Sequence, residues 1–254
     1  MVGGRRGNHE ARMASPTRPA PLTMNSEVNR ADRNALIEVT SLYLREELTA
    51  FAFDEKLSEI EARTNDETVK WVRSQLWGFY DDCTDHKVVG SKPEWDMIQR
   101  LVLLLQSDAT VAMETGPAKW TARQAVAAAG LGAAAWIVWQ AGWGSHLLIF
   151  NMPLGLVSMG LSFWRGRAER ESTVVSGALA PFGSLAELRS IRRSVRNFVK
   201  PRYPGRLAQR RIRSPLADWA NWIYSGAFWL MFSPVALAFQ LRPERRTTWR
   251  VTTP

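Results

Sequence analysis

The densest set of potential ligands in the chain is the run from Asp81 to His86, which reads Asp-Asp-Cys-Thr-Asp-His. The carboxylates of Asp81, Asp82 and Asp85 offer hard oxygen ligands that suit a cation such as Mg²⁺, and His86 adds an imidazole. Acidic side chains at the C-terminal end of a helix are electrostatically disfavoured, which favours a binding role for them. The leading interpretation of the run is a solvated helix end followed by a turn, and a magnesium site is the alternative.

Written as D-D-x-x-D, the same residues resemble the aspartate-rich motif with which helical prenyl-diphosphate enzymes hold magnesium. The resemblance implies a membrane-bound, Mg²⁺-dependent enzyme acting on lipid diphosphates. Those enzymes are larger helical cups with a second acidic cluster, whereas the other acidic residues of this chain are scattered. An enzyme of this kind is therefore one alternative rather than the leading hypothesis.

Zinc binding and nucleophilic catalysis have less support. A tetrahedral zinc site needs four ligands, and besides Cys83 and His86 the only thiol or imidazole groups are those of His9 and His146. Because Cys83 is the single cysteine, an intramolecular disulfide is excluded. Its spacing predicts that it completes the apolar stripe of the preceding helix. With no G-x-S-x-G elbow and no glycine-rich phosphate loop, we expect a protein that is not an enzyme.

Residues 31–116 are predicted to form a small acidic helical domain after a disordered tail over residues 1–30. The segment contains 9 basic and 17 acidic residues. Its apolar side chains recur at three- and four-residue steps, as on one face of a helix, and Ser91 and Glu94 form a capping box. A further helix is predicted to begin at Asp54. Four such apolar stripes can close into a bundle.

Residues 119–165 are predicted to form a transmembrane helical hairpin. Not one Asp, Glu, Lys or Arg occurs over residues 124–164, a stretch long enough for two spans of roughly 20 residues each. Two glycines near residue 143 favour a turn between the spans. Gly130 and Ala134 lie four apart, so they are predicted to form a helix-packing face. Flanking arginines place both ends on the cytoplasmic side by the positive-inside rule.

Residues 166–216 form a basic segment, predicted to contain an amphipathic helix that lies in the headgroup layer. From Arg165 to Leu216 there are 13 basic and 3 acidic residues. The alternative is that this segment docks on the acidic domain, and binding to nucleic acid is less favoured because the segment lies between two apolar stretches. The predicted headgroup-binding residues are Arg189, Arg192, Arg193, Arg196, Arg210, Arg211 and Arg213.

Residues 217–242 are predicted to be embedded in the membrane, followed by a basic tail over residues 243–254. Trp219 to Leu241 is free of charged residues and long enough for one crossing. Four arginines follow, however, and the positive-inside rule opposes placing them on the far side. Pro234 permits a bend. A full third crossing and a re-entrant or interfacial helix therefore both stay open.

These features predict an all-α integral membrane protein in which an acidic bundle precedes a transmembrane hairpin, a basic amphipathic helix and a C-terminal membrane-embedded or interfacial helix. The leading hypothesis is a membrane-anchored interaction or sensor module with its N-terminal domain in the cytoplasm. Its expected partners are anionic lipids and a cytoplasmic protein. The alternative is a small pore-forming or transport-associated subunit, assembled as a homo-oligomer through the Gly130 face. No cofactor other than magnesium is indicated.

Overall fold

The computed structural model describes residues 28–253 except residues 82, 143, 145, 178 and 244–246. This part of the chain is mostly helical, which confirms the all-α class. Its α-helices are α1 (Arg30–Leu44), α2 (Ala50–Arg63), α3 (Glu67–Leu76), α4 (Lys92–Gln106), α5 (Ala122–Ala141), α6 (His146–Gly177), α7 (Leu185–Ser194), α8 (Pro215–Met231) and α9 (Ser233–Gln240). Two strands, β1 (Thr110–Thr115) and β2 (Thr247–Thr252), complete it.

Helices α1 to α4 form the predicted bundle, called the helical domain below. Its core consists of large side chains, among which Leu36, Leu57 and Leu101 are fully buried. Tyr43 of α1 stacks on Phe53 of α2 with ring centroids 4.3 Å apart. Burial of such side chains contributes about 1.5–3 kcal/mol each, so the apolar stripes read from the sequence account for the assembly of the domain.

Local capping sets where most of these helices begin. Asn29 caps α1, Asp66 caps α3, and the predicted capping box of Ser91 and Glu94 is present at the start of α4. The prediction that Asp54 begins a helix is wrong, because α2 begins at Ala50. Its N-cap residue makes no side-chain hydrogen bond, so the first amides of α2 need partners from elsewhere in the chain.

A fully buried ion pair joins α1, α3 and the end of α4. Arg33 Nε donates to Asp66 Oδ2 at 2.6 Å, and neither side chain is exposed. Arg33 Nη1 also donates to the carbonyl oxygens of Ser107 at 2.8 Å and Ala109 at 2.9 Å. The Asp66 carboxylate additionally accepts the Thr68 amide at 2.9 Å as the cap of α3. The charges are thus matched by several hydrogen bonds, as a buried pair requires.

Strands β1 and β2 form an antiparallel ribbon that the sequence analysis did not predict. Its register runs from Thr110 opposite Thr252 to Thr115 opposite Thr247. The ribbon lies against α3, where the Trp249 ring is 5.5 Å from that of Trp71. The chain after α9 therefore returns to the helical domain.

The basic segment is integrated into the same core. Phe182, Ile191, Phe198 and Leu207 are buried in one cluster with the helical domain. Hydrogen bonds fix the backbone that follows α7, since Tyr203 Oη donates to a carbonyl oxygen of the α3–α4 loop at 2.9 Å. The sequence predicted an amphipathic helix lying in the headgroup layer of a membrane. In the structure the apolar side chains of this segment pack against the helical domain instead.

Helices α5, α6, α8 and α9 form a second unit, called the apolar layer below. The α5–α6 hairpin turns at Gly142, whose φ of 69° favours glycine. Helix α9 packs against both α5 and α6, and α8 packs against α6. Leu237 of α9 is completely buried among α5 and α6 side chains.

Candidate functional site

Apart from Leu161 and Leu237, the described side chains that the apolar layer buries are small or polar, whereas many of its large apolar side chains are exposed. Ala127, Ser158 and Ser233 have no exposed surface, and Gln124 is 2% exposed. A soluble protein rarely exposes a large contiguous apolar surface unless it binds lipid or protein there. The exposed large side chains of the layer include Trp136, Trp139, Ile149, Met152, Leu156, Phe163, Trp164, Trp219, Trp222, Tyr224, Phe228, Trp229, Val235 and Phe239.

Helix α8 shows this exposure most strongly, since none of its residues is buried. Trp219 is 63% exposed, Trp222 is 72% exposed and Tyr224 is 71% exposed. Tryptophan and tyrosine are the residues that concentrate at membrane interfaces, where an apolar ring and a polar group are both satisfied. The helix thus presents an aromatic surface that the protein itself does not cover.

Glycines allow the helices of the layer to approach closely. A Cβ added at Gly155 would lie 2.9 Å from Leu230 Cα, so α6 and α8 touch at backbone distance. A Cβ at Gly130 would lie 3.2 Å from Leu237 Cδ1. Gly130 and the half-buried Ala134 share one face of α5. Gly130 therefore lies against α9 of the same chain.

The polar groups inside the layer bond to one another. Gln240 Nε2 donates to Ser158 O at 3.0 Å and to Ser162 Oγ at 2.8 Å. At the other end of α9, Ser233 Oγ donates to Asn151 O at 3.1 Å. Such uncharged hydrogen bonds between helices are typical of apolar surroundings. They fix α9 along α6.

Within the described residues, no single helix combines the length and the apolar character needed to cross a bilayer. Helices α8 and α9 meet both criteria only as a pair, and the pair is bent by 80° at Phe232. The transmembrane character predicted for residues 119–165 and 217–242 therefore stays a hypothesis.

The acidic run serves as the missing cap of α2. Phe51 N–H donates to Asp85 Oδ1 at 3.1 Å, and Ala50 N–H donates to the His86 carbonyl oxygen at 2.8 Å. A carboxylate at a helix N-terminus is stabilised by the helix dipole. Asp85 thus lies at the start of one helix, where its charge is favourable, rather than at the end of another.

Asp81 and His86 are also engaged by protein groups. Asp81 Oδ1 accepts the Cys83 amide at 2.8 Å, while its Oδ2 accepts Arg213 at 2.6 Å. The backbone bond from Cys83 and the Arg213 guanidinium hold the pKa of Asp81 below its ordinary value. His86 Nδ1 faces the Lys87 carbonyl oxygen at 2.7 Å, and its Nε2 accepts the Asp81 amide at 3.0 Å. Both ring nitrogens are therefore used.

Three of the four predicted magnesium ligands thus have other partners, and Asp82 lies outside the described residues. No group of three or more His, Cys, Asp or Glu side chains in the described part of the chain is placed to hold a metal ion. The prediction that Cys83 completes an apolar stripe is wrong, because Cys83 is exposed. Helix α3 ends at Leu76 and a 3₁₀ turn follows, so Cys83 lies beyond the helix whose apolar face it was predicted to complete.

Two of the predicted headgroup-binding arginines form ion pairs with the helical domain. Arg210 Nη1 lies 3.0 Å from Glu46 Oε1, and Arg213 pairs with Asp81. Hydrogen bonding from Arg210 lowers the pKa of Glu46. The opposite charges of the two segments thus meet, as the docking alternative predicted. The other predicted headgroup-binding arginines are exposed, namely Arg189, Arg192, Arg193, Arg196 and Arg211.

An open groove of about 780 Å³ lies where the helical domain, the basic segment and the start of α8 meet. The sequence analysis did not identify it, because its walls are far apart in the chain. The only feature of the sequence that pointed to this groove was the opposite charge of the helical domain and the basic segment. Its charged lining residues are Asp81, Glu94, Arg210, Arg211, Arg213 and Asp218.

Comparison with known proteins finds no matching family, no matching curated protein and no matching solved structure.

Proposed function

We propose that the protein is a membrane-anchored interaction module in which the apolar layer is embedded in a bilayer and the helical domain binds a cytoplasmic protein. The observation that carries the proposal is the burial pattern of the apolar layer, where most buried residues are small or polar and the described tryptophans are exposed. Lipid tails supply the environment in which that arrangement is stable.

The flanks of α8 and α9 favour a re-entrant arrangement over a third crossing. Before α8, Arg213 pairs with Asp81 of the helical domain. After α9, β2 pairs with β1, which directly follows the helical domain. Because both flanks are attached to one domain, we propose that the α8–α9 pair enters the bilayer and leaves it on the same side. The C-terminal arginines then stay with the helical domain, as the positive-inside rule favours.

The exposed arginines of α7 fit the surface of an anionic membrane. The apolar side of α7 is occupied by Ile191, which is 1% exposed within the core, so Arg189 and Arg193 point away from the domain and are exposed. Each basic residue near such a surface contributes about 1 kcal/mol. We propose that α7 touches headgroups through these side chains.

The pore-forming alternative is less favoured, because the Gly130 face on which it relied packs against Leu237 of the same chain. Single-channel recording in planar bilayers separates the two functions. A reproducible unit conductance from the purified protein would support the pore and contradict a pure anchor.

Flotation with vesicles of neutral phosphatidylcholine tests the membrane anchor. We expect the intact protein to float with the vesicles at high salt, because burial of apolar side chains does not depend on charge. Replacing Trp219, Trp222 and Tyr224 together by Gln should weaken flotation. The same change at Trp77, which is 54% exposed on the helical domain, is the control. An intact protein that stays with the soluble fraction would contradict the proposal.

Cysteine labelling tests the topology, with Cys83→Ser as the cysteine-free background. In intact cells a membrane-impermeant thiol reagent should label Ser145→Cys, whereas Ser184→Cys should react only after permeabilisation. The re-entrant arrangement predicts that Thr253→Cys behaves like Ser184→Cys. Labelling of Thr253→Cys in intact cells would show a full crossing instead.

A further inference from the structure

The groove beside α8 contains charged groups of two kinds, those already paired and those left unpaired. Arg210 and Arg213 pair with Glu46 and Asp81. Glu94 Oε2 accepts the amide and the hydroxyl of Ser91, at 2.6 Å and 2.9 Å. Four of the six charged groups that line the groove therefore have partners within the protein.

Arg211 and Asp218 are the other two. In the described part of the chain neither side chain forms an ion pair or a hydrogen bond, although both line the same groove. Their charged atoms are therefore more than 4.0 Å apart. A cation and an anion that line one groove without pairing with each other are complementary to a ligand that itself carries both charges.

The two groups also define the chemistry of each end of that ligand. A guanidinium presents paired N–H donors that match phosphate oxygens. A carboxylate accepts hydrogen bonds from a primary ammonium group, which has three donors. The structure thus favours a phosphate at Arg211 and an ammonium at Asp218.

The position of the groove indicates where such a ligand comes from. Asp218 directly precedes Trp219, the first exposed aromatic residue of α8, and Arg211 lies just before the helix. The groove is therefore located where the aqueous domain joins the aromatic surface. If the apolar layer is embedded as proposed above, this is the depth of the lipid headgroups.

We propose that the groove binds the phosphoethanolamine headgroup of a membrane lipid, with its phosphate at Arg211 and its ammonium at Asp218. This inference rests on the proposed membrane anchoring. Phosphatidylglycerol offers the phosphate without a cation. Phosphatidylcholine offers a quaternary ammonium that has no N–H to donate.

A reporter in the groove makes the proposal testable. The exposed groove residue Ala208 is replaced by Cys in the Cys83→Ser background of the full chain and labelled with an environment-sensitive dye. The labelled protein is mixed with phosphatidylcholine vesicles that contain either phosphatidylethanolamine or phosphatidylglycerol. We expect a dye response at lower lipid concentration with phosphatidylethanolamine.

Two variants and one control distinguish lipid binding in the groove from general electrostatic attraction between the basic segment and the membrane. Asp218→Asn should weaken the phosphatidylethanolamine response about tenfold, as loss of a charge-assisted hydrogen bond does, and should strengthen the phosphatidylglycerol response. Arg211→Gln should weaken both responses by a similar factor. Arg202→Gln removes an exposed arginine of the same segment outside the groove, and it should leave the preference between the two lipids unchanged.

The outcomes distinguish this proposal from the anchoring that it assumes. Flotation with pure phosphatidylcholine but equal dye responses to both lipids would overturn the headgroup site and leave the anchor standing. Failure to float would overturn the anchor. Soluble phosphoethanolamine that produces the full response without vesicles would show that the ligand is the free compound and overturn the assignment to lipid.

Discussion

The helical domain and the apolar layer use the same helical periodicity for opposite arrangements of side chains. In the helical domain large residues such as Phe53 and Leu101 are buried. In the apolar layer small residues such as Ala127 and Ser158 are buried, while Trp139 is 86% exposed. The comparison shows that helical spacing defines a face, whereas residue size on that face indicates which surroundings stabilise it.

The two regions also differ in the polar groups that they bury. The helical domain buries a charged pair, Arg33 and Asp66, whereas the described core of the apolar layer uses the amides and hydroxyls of Gln240, Ser158 and Ser233. Charged pairs require many hydrogen bonds to balance their desolvation. Uncharged groups need fewer partners and suit helices that contact lipid.

The largest expected effect of a single substitution is at Asp66. Asp66→Asn leaves the Arg33 charge buried without its counter-ion, which typically costs about 3–5 kcal/mol. Urea denaturation of the purified chain, followed by near-UV circular dichroism, should therefore show a much lower midpoint. Glu67→Gln, which removes an exposed pair with Lys70, should cost at most about 1 kcal/mol. If the two variants lost equal stability, the buried position of the Arg33–Asp66 pair would not be the reason for its contribution.

The same pair predicts a dependence of stability on pH. Burial alone would raise the pKa of Asp66, but hydrogen bonds from Arg33, Asn29 and Thr68 prevail and hold it below the ordinary value of 3.8. A lowered pKa contributes stability that is complete above the unfolded value and is lost as the pH falls toward the folded one. The urea midpoint of the natural chain should decrease below about pH 4. Asp66→Asn should flatten that decrease, and an unchanged slope would contradict the assignment.

Close packing of α6 on α8 predicts the next effect, within the apolar layer. Gly155→Ala places a methyl group 2.9 Å from Leu230 Cα, so the helices must separate, at about 1–3 kcal/mol. Gly160→Ala is the matched control, since nothing lies within 4 Å of its added Cβ and alanine favours a helix. Thermal unfolding in lipid nanodiscs should show a loss for the first variant only. A similar stability for both would show that α8 does not rely on this contact.

The smallest effect is expected for the hydrogen bonds of Gln240. Gln240→Leu removes its bonds to Ser158 and Ser162, and such interhelical bonds contribute about 0.6 kcal/mol on average in membranes. Unfolding in a graded series of sodium dodecyl sulfate concentrations should detect a slight shift. Gln140→Leu, on the exposed side of α5, is the control. A loss as large as that of Asp66→Asn would indicate that the apolar layer depends on polar contacts as the helical domain does.

The sequence by itself determined the features that depend on neighbouring residues. Helix α4 begins at its capping box because Ser91 and Glu94 are close enough to bond along the chain. The α5–α6 hairpin and its turn at Gly142 follow from an uncharged stretch interrupted by glycines. The opposite charges of the helical domain and the basic segment also predicted ion pairs, although not which residues form them.

Only the tertiary structure decided the contacts between residues distant in the chain. Asp85 caps α2 across 34 positions, and β2 pairs with β1 across more than a hundred. Cys83 has the spacing of a buried stripe, yet the helix ends at Leu76 and Cys83 is exposed. Periodicity and charge describe what each segment can bury or pair. Which partner it meets depends on how all segments pack at once, because burial and ion pairing act through space rather than along the chain.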